Sequence, residues 1–283
     1  HEAVFEFDGE DKDGNRITQN AYQIQIFYAD RAQNPITDGR EPALEETVQG
    51  EISEDGLFTS GTFILDHVPP KVSIFYNSAY QTVRETGETE GKNVPPSEGC
   101  TAYYGRKNSD GTDNGKITVT VQVEEHYLTF DKDGDIENFD FLLSKSGSPE
   151  MRKIRPDGWK MEGEVCTGSY TIEEDGDYII SVSYCDMAGN RMEKKDRMDG
   201  GEITEAGYTS PTLILDTAAP VLTRNYTAEP VDQYGERSYY NQPVHLRIKV
   251  EDQNIRCREL LDELRGMTAV DAEGTDLTED TEA

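Results

Sequence analysis

Carboxylates and amides gathered in short turns are the residues of this chain whose types and spacing could do chemistry. Asp131-Lys-Asp-Gly-Asp135 and Asp11-Lys-Asp-Gly-Asn15 concentrate oxygen donors, the ligands that a hard cation such as calcium takes. Counted from Asp131, however, the glycine and glutamate positions of an EF-hand hold Ile136 and Leu142, so both stretches read as acidic hairpin turns. A sharper candidate is the set Asp66, Asp186, Asn190 and Asp216. Asp66 precedes Pro69 and Asp216 precedes Pro220, where folded units would meet end to end, and Asp186 to Asn190 is an acidic turn that could lie at the same end of a unit. Calcium bound there would stiffen the joints, and no other cofactor is expected.

Catalysis finds little support. The four histidines, His1, His67, His126 and His245, are scattered, and neither a zinc-protease pair, a nucleophile elbow nor a glycine-rich phosphate loop occurs. With 57 acidic residues, neighbouring carboxylates carry no information about a glycosidase pair. The expectation is a non-enzyme. Cys100, Cys166, Cys185 and Cys257 lack zinc-ligand spacing. Cys166 and Cys185 bracket the Asp175-Gly176 turn and are the candidate disulfide, although strand parity sets them on opposite faces.

The turns need elements to hold them. Ile117, Val119, Val121 and Val123 alternate with Thr118, Thr120 and Gln122, as a strand with one core face and one wet face requires. Tyr178, Ile180, Val182 and Tyr184 repeat the pattern. Trp159, after Pro156-Asp-Gly158, is expected to pack rather than bind. Residues 136–143 fit a short helix or an edge strand. Cys257, Leu260, Leu261 and Leu264 have helical spacing, which gives a short helix near residues 256–265.

Composition narrows the partners. Lys+Arg is 27 against Asp+Glu 57, a net charge of −30, and such a surface repels nucleic acid and anionic membranes. At 34% apolar residues over 283, the core must be divided among small units. No apolar run has the length of a membrane span, so no membrane insertion is expected. The start at His1, without Met, and partial units at both ends read as a piece of a longer chain.

Those units show as repeats. Asn15-Arg16 and Asn190-Arg191 lie 190 − 15 = 175 residues apart, and the Ile-Leu-Asp triplets ending at Asp66 and Asp216 lie 216 − 66 = 150 apart. The run 71–76, then Tyr103-Tyr104, then 116–124 is echoed by 221–226, Tyr239-Tyr240 and 244–251. A period this long means stacked domains.

The order Tyr103-Tyr104, alternating strand, Glu124-Glu-His126, Asp175-Gly-Asp-Tyr178, Asp186-Met-Ala-Gly-Asn190, Ile214-Leu-Asp216 and Ala219-Pro220 resembles the bacterial immunoglobulin-like repeats of Gram-positive cell-surface proteins. The likeness leaves out the loops at 29–58, 84–115 and 144–163. It implies an all-β chain of tandem immunoglobulin-like β-sandwiches: residues 1–68 the C-terminal part of one unit, 69–217 a complete unit, 218–283 the N-terminal part of a third. It implies an extracellular, cell-wall-attached or secreted stalk, spacer or adhesive module. Partners would be the neighbouring units and a surface ligand, glycan or host protein. Under the resemblance Tyr178, entered through Gly176, resembles a tyrosine corner, and Gly189 closes the Asp186 turn. Ile180 stands where antibody domains place the second inter-sheet cysteine. Junction calcium would act as it does in cadherin-type arrays. The alternative reading is a carbohydrate-binding accessory module of a larger secreted glycoside-active enzyme, with Tyr103, Tyr104 and Trp159 as the sugar platform.

Overall fold

The alternation of residues 117–124 becomes the middle strand of a sheet. Ile117, Val119, Val121 and Val123 are fully buried, while Thr118, Thr120 and Gln122 are half-exposed. The computed structural model describes residues 9–37, 50–84, 86–108, 110–148, 150–204, 207–226, 228–244, 246–252 and 254. Every regular element among them is a β-strand, so the chain is all-β. The helix expected near residues 256–265 lies outside the described residues.

The stretch before Pro69, called the first unit below, contains β1 (Asn20–Tyr22), β2 (Gln25–Phe27), β3 (Gly50–Ile52), β4 (Leu57–Ser60) and β5 (Phe63–Leu65). The middle unit opens with β6 (Lys71–Tyr76), β7 (Ala79–Arg84), β8 (Thr89–Val94), β9 (Cys100–Gly105) and β10 (Ile117–Glu124). It continues with β11 (Phe139–Lys145), β12 (Arg152–Lys153), β13 (Trp159–Glu162), β14 (Val165–Ile172) and β15 (Gly176–Tyr184). It closes with β16 (Glu193–Met198), β17 (Glu202–Thr204), β18 (Gly207–Thr209) and β19 (Leu213–Asp216). The last unit shows β20 (Val221–Tyr226), β21 (Asp232–Tyr234), β22 (Arg237–Tyr239) and β23 (Leu246–Glu251).

In the middle unit one sheet runs β13-β14-β10-β6-β16 and the other β12-β11-β15-β19-β9-β7-β8, with the β17–β18 hairpin attached to β15. The buried cluster joins Val72, Ile74, Val121, Val123 and Cys166 from the first sheet to Phe141, Ile180, Val182, Leu213 and Leu215 from the second, which makes the unit a β-sandwich. Each fully buried Val, Leu, Ile or Phe contributes about 1.5–3 kcal/mol to holding the layers together. Within 136–143 the chain turns at 137–138 and then forms strand, not helix: β11 starts at Phe139, runs on to Lys145 and lies between β12 and β15.

The repeat is legible bond by bond. β1 pairs β5 as Asn20↔Leu65, Ala21↔Ile64 and Tyr22↔Phe63, and β15 pairs β19 as Gly176↔Leu215, Asp177↔Ile214 and Tyr178↔Leu213. The Tyr22 hydroxyl donates to the Thr18 carbonyl at 2.6 Å, and the Tyr178 hydroxyl to the Glu174 carbonyl at 2.6 Å. Both units break the following edge at a serine. Ser60 Oγ accepts the Ile24 N–H at 2.8 Å and Ser210 Oγ accepts the Ile180 N–H at 2.8 Å, filling the ladder position where the strand departs.

This register revises one sequence pairing. The turn Asp186–Asn190, closed by Cys185↔Arg191, has its counterpart in Asp30–Asn34, closed by Ala29↔Pro35, rather than in Asp11–Asn15. In the last unit β20 pairs β23 from Val221↔Glu251 to Tyr226↔Leu246, matching β6 with β10 from Lys71↔Glu124 to Tyr76↔Val119.

Candidate functional site

Three carboxylates converge where the first unit hands over to the second. Asp66 follows β5, Glu125 follows β10 and Asp186 follows β15, and one oxygen from each lies within 4.8 Å of the other two. Antiparallel strands explain the convergence. β10 and β15 both end at the face of the sandwich where the chain arrives from Asp66 through Pro69 and Pro70 to β6.

Each carboxylate is held. Asp66 Oδ1 accepts the Val68 N–H at 3.1 Å. Glu125 Oε1 accepts the Tyr127 N–H at 2.9 Å. Asp186 Oδ1 accepts the N–H groups of Ala188 and Asn190 at 2.9 and 2.8 Å, and its Oδ2 accepts the Asn190 side-chain amide at 2.8 Å. The same amide donates to the Asp66 carbonyl at 3.2 Å, tying the turn of one unit to the linker of the other. Gly189 turns this loop at a φ of 90°, a conformation that costs glycine little.

Electrostatically the site is one-signed. Glu125 and Asp186 are each only 5% exposed, and among the described residues no lysine, arginine or histidine forms an ion pair with any of the three carboxylates. Burial pushes the Glu125 carboxyl above its usual range, the Tyr127 N–H opposes this, and the charges of Asp66 and Asp186 push it further up. The hydroxyl of Tyr184, buried beneath them, is pushed up by burial and then by Glu125, Asp186 and Asp66. Oxygens within 4.8 Å of one another can share a cation bound at about 2.4 Å, a calcium-to-oxygen distance. Such a divalent ion would offset two of the three negative charges, and its remaining ligands would be carbonyls or water.

The four sequence candidates therefore divide. Asp66, Asp186 and Asn190 meet at this joint, whereas Asp216 lies at the next one. There Asp216 Oδ1 accepts the Ala218 N–H at 3.1 Å and its Oδ2 accepts the Asn254 amide at 2.6 Å. Asp252 takes the place of Glu125, accepting the Asn254 N–H at 2.7 Å as Glu125 accepts that of Tyr127. A cavity of about 220 Å³ at this second joint is lined by Asp175, Asp177, Asp216, Glu251, Asp252 and Asn254. Glu125 itself was missed by reading the sequence. The matching positions of Glu124-Glu125 after β10 and Glu251-Asp252 after β23 were the available signal.

Other candidates resolve differently. Cys166 and Cys185 do not pair, and both thiols are free. Cys166 faces the core opposite Val123 in one sheet, while Cys185 follows β15 in the other and closes the Asp186 turn against Arg191. Tyr178 is a tyrosine corner by geometry, and at Gly176 an added Cβ would stand 2.6 Å from the Lys145 side chain. In the Asp131 turn the Asp131 Oδ1 accepts the N–H groups of Asp133 and Asp135 at 2.8 and 3.0 Å, and Arg155 pairs with the carboxylates of Asp133 and Asp135. Of the three aromatics expected to form a sugar platform, Tyr104 is 1% exposed in the core and Trp159 packs edge-on to Phe139 at 5.4 Å.

No protein-family model matches the chain, and no curated protein or solved structure matches it.

Proposed function

We propose that the chain is a segment of a tandem immunoglobulin-like array that works as a stalk or spacer on the surface of a Gram-positive bacterium, with calcium setting the stiffness of its joints. The order β13-β14-β10-β6 against β11-β15-β19 is the ABED and CFG order of an immunoglobulin sandwich, which supports that reading of the middle unit. The repeated registers and serine plugs support the tandem. The extracellular setting rests on the resemblance.

The observation that carries the function is the carboxylate cluster shared across the joint, with Asp66 from one unit and Glu125 and Asp186 from the next. Apposed carboxylates repel, so the bare joint opens or bends, and a bound divalent cation draws the two units together. Titrating calcium into the chain is expected to raise its melting temperature and lengthen its scattering profile. Asp186→Asn with Glu125→Gln is expected to abolish both responses, whereas Asp131→Asn leaves them intact. Absence of either response at millimolar calcium would sink the calcium joint.

A further inference from the structure

A spacer is pulled along its length, and the sandwich takes that pull on two strands. Tension from the preceding unit enters β6 through Pro70, and tension from the following unit enters β19 at Asp216. β6 pairs antiparallel with β10 from Lys71↔Glu124 to Tyr76↔Val119. Its hydrogen bonds lie across the direction of pull and are loaded in shear. In the order β13-β14-β10-β6, strand β6 alone would be an edge, bonded on one side.

The chain does not leave it so. After β15 it crosses from one sheet to the other, and β16 lies parallel against the free side of β6, pairing Glu193↔Lys71, Lys194↔Val72 and, beyond an irregularity, Met198↔Ile74. The Glu193 N–H donates to the Pro70 carbonyl at 2.8 Å, at the point where the pull arrives. The crossing ends at the buried Asp199. Its N–H donates to the Ile74 carbonyl at 3.0 Å and its Oδ2 accepts the Tyr76 N–H at 3.0 Å. Its carbonyl accepts the Tyr208 hydroxyl at 2.8 Å, and that hydroxyl also lies 3.2 Å from the hydroxyl of Tyr76. Tyr208 belongs to β18 in the opposite sheet, so the node fastens β6 to both layers.

We propose that residues 193–199 form a mechanical latch on the load-bearing strand β6, with Asp199 as its catch. The proposal rests on the spacer reading for its use, but the latch is a property of the molecule and is measured on it. A buried side-chain acceptor for a strand N–H is costly to remove without replacement, because the donor is left unpaired. Asparagine keeps an acceptor at that place and alanine does not.

The test is force–extension of the 283-residue chain held by its ends. The unit is recognised by the long release from Lys71 to Asp216, about 50 nm of extended chain. Asp199→Ala is expected to lower its unfolding force, Asp199→Asn to restore most of it, and Tyr208→Phe to give an intermediate loss should the alanine variant not fold. Phe141→Leu, in the core on β11, which pairs neither β6 nor β19, serves as the control. For an equal loss of urea midpoint, the latch variants lose more force than it does. Equal loss of force per loss of midpoint, or no loss of force in either latch variant, overturns the latch. A latch that passes in a chain whose joints ignore calcium would instead count against the joint reading.

Discussion

Burial is the first cause that holds the Cys166 thiol and the hydroxyls of Tyr104, Tyr184 and Tyr208 in their protonated forms. Cys166 is fully buried, and burial pushes its thiol up to about 11. Its folded value lies above the unfolded one of about 8.5, so the native state holds this proton more tightly. The stability it contributes is complete below about pH 8.5 and is lost as pH rises through about 11. Urea midpoints are therefore expected to fall from about pH 8.5 upward, with Cys166→Ala flattening the first part of the fall. The tyrosines Tyr104, Tyr184 and Tyr208, whose hydroxyls burial also pushes up, steepen the decline above about pH 10. A thiol reagent at neutral pH is expected to label the half-buried Cys185 of the native chain and to spare Cys166.

Strands with strict alternation were legible in the sequence, and so was Tyr178, because a tyrosine corner is a local device spanning Glu174 to Tyr178. Replacing Tyr178 with Phe is expected to cost about 1 kcal/mol in urea unfolding, the usual net worth of such a bond. What local spacing cannot show is a partner distant in sequence. Strands β8 and β9 lie in a stretch that reads as loop, and β9 is set by its parallel pairing with β19, Leu213↔Ala102 to Asp216↔Gly105. β16 is likewise defined by β6, and Glu125 gained its meaning only beside Asp66 and Asp186. The glycines of the β17–β18 region show the same dependence. A Cβ on Gly201 would meet the Tyr208 ring at 1.9 Å, and one on Gly50 would meet the Phe58 ring of the first unit at 2.6 Å. Gly201→Ala is expected to displace Tyr208 and lower stability by about 1–3 kcal/mol, the range of overpacked cores, as read by urea midpoint.

Across the whole molecule the joints compete with a net charge of −30. That charge pushes the units apart over a Debye length of about 30 Å at 0.01 M salt, and over only about 3 Å at 1 M. Simple salt should therefore contract the chain gradually, in the native protein and in Asp186→Asn alike, because screening depends on the sum of charges and not on one turn. Calcium added at constant ionic strength should act differently. Its effect saturates once the joints are filled, it raises the melting temperature together with the change in length, and it disappears in Asp186→Asn with Glu125→Gln. Magnesium, which keeps its waters and demands a near-octahedral shell, should reproduce it only weakly. Scattering and melting curves recorded for sodium, magnesium and calcium at matched ionic strength separate the two effects. If sodium alone gives the full response, the carboxylates at Asp66, Glu125 and Asp186 serve solubility, and the stiffness of the array must come from its prolines and its packing.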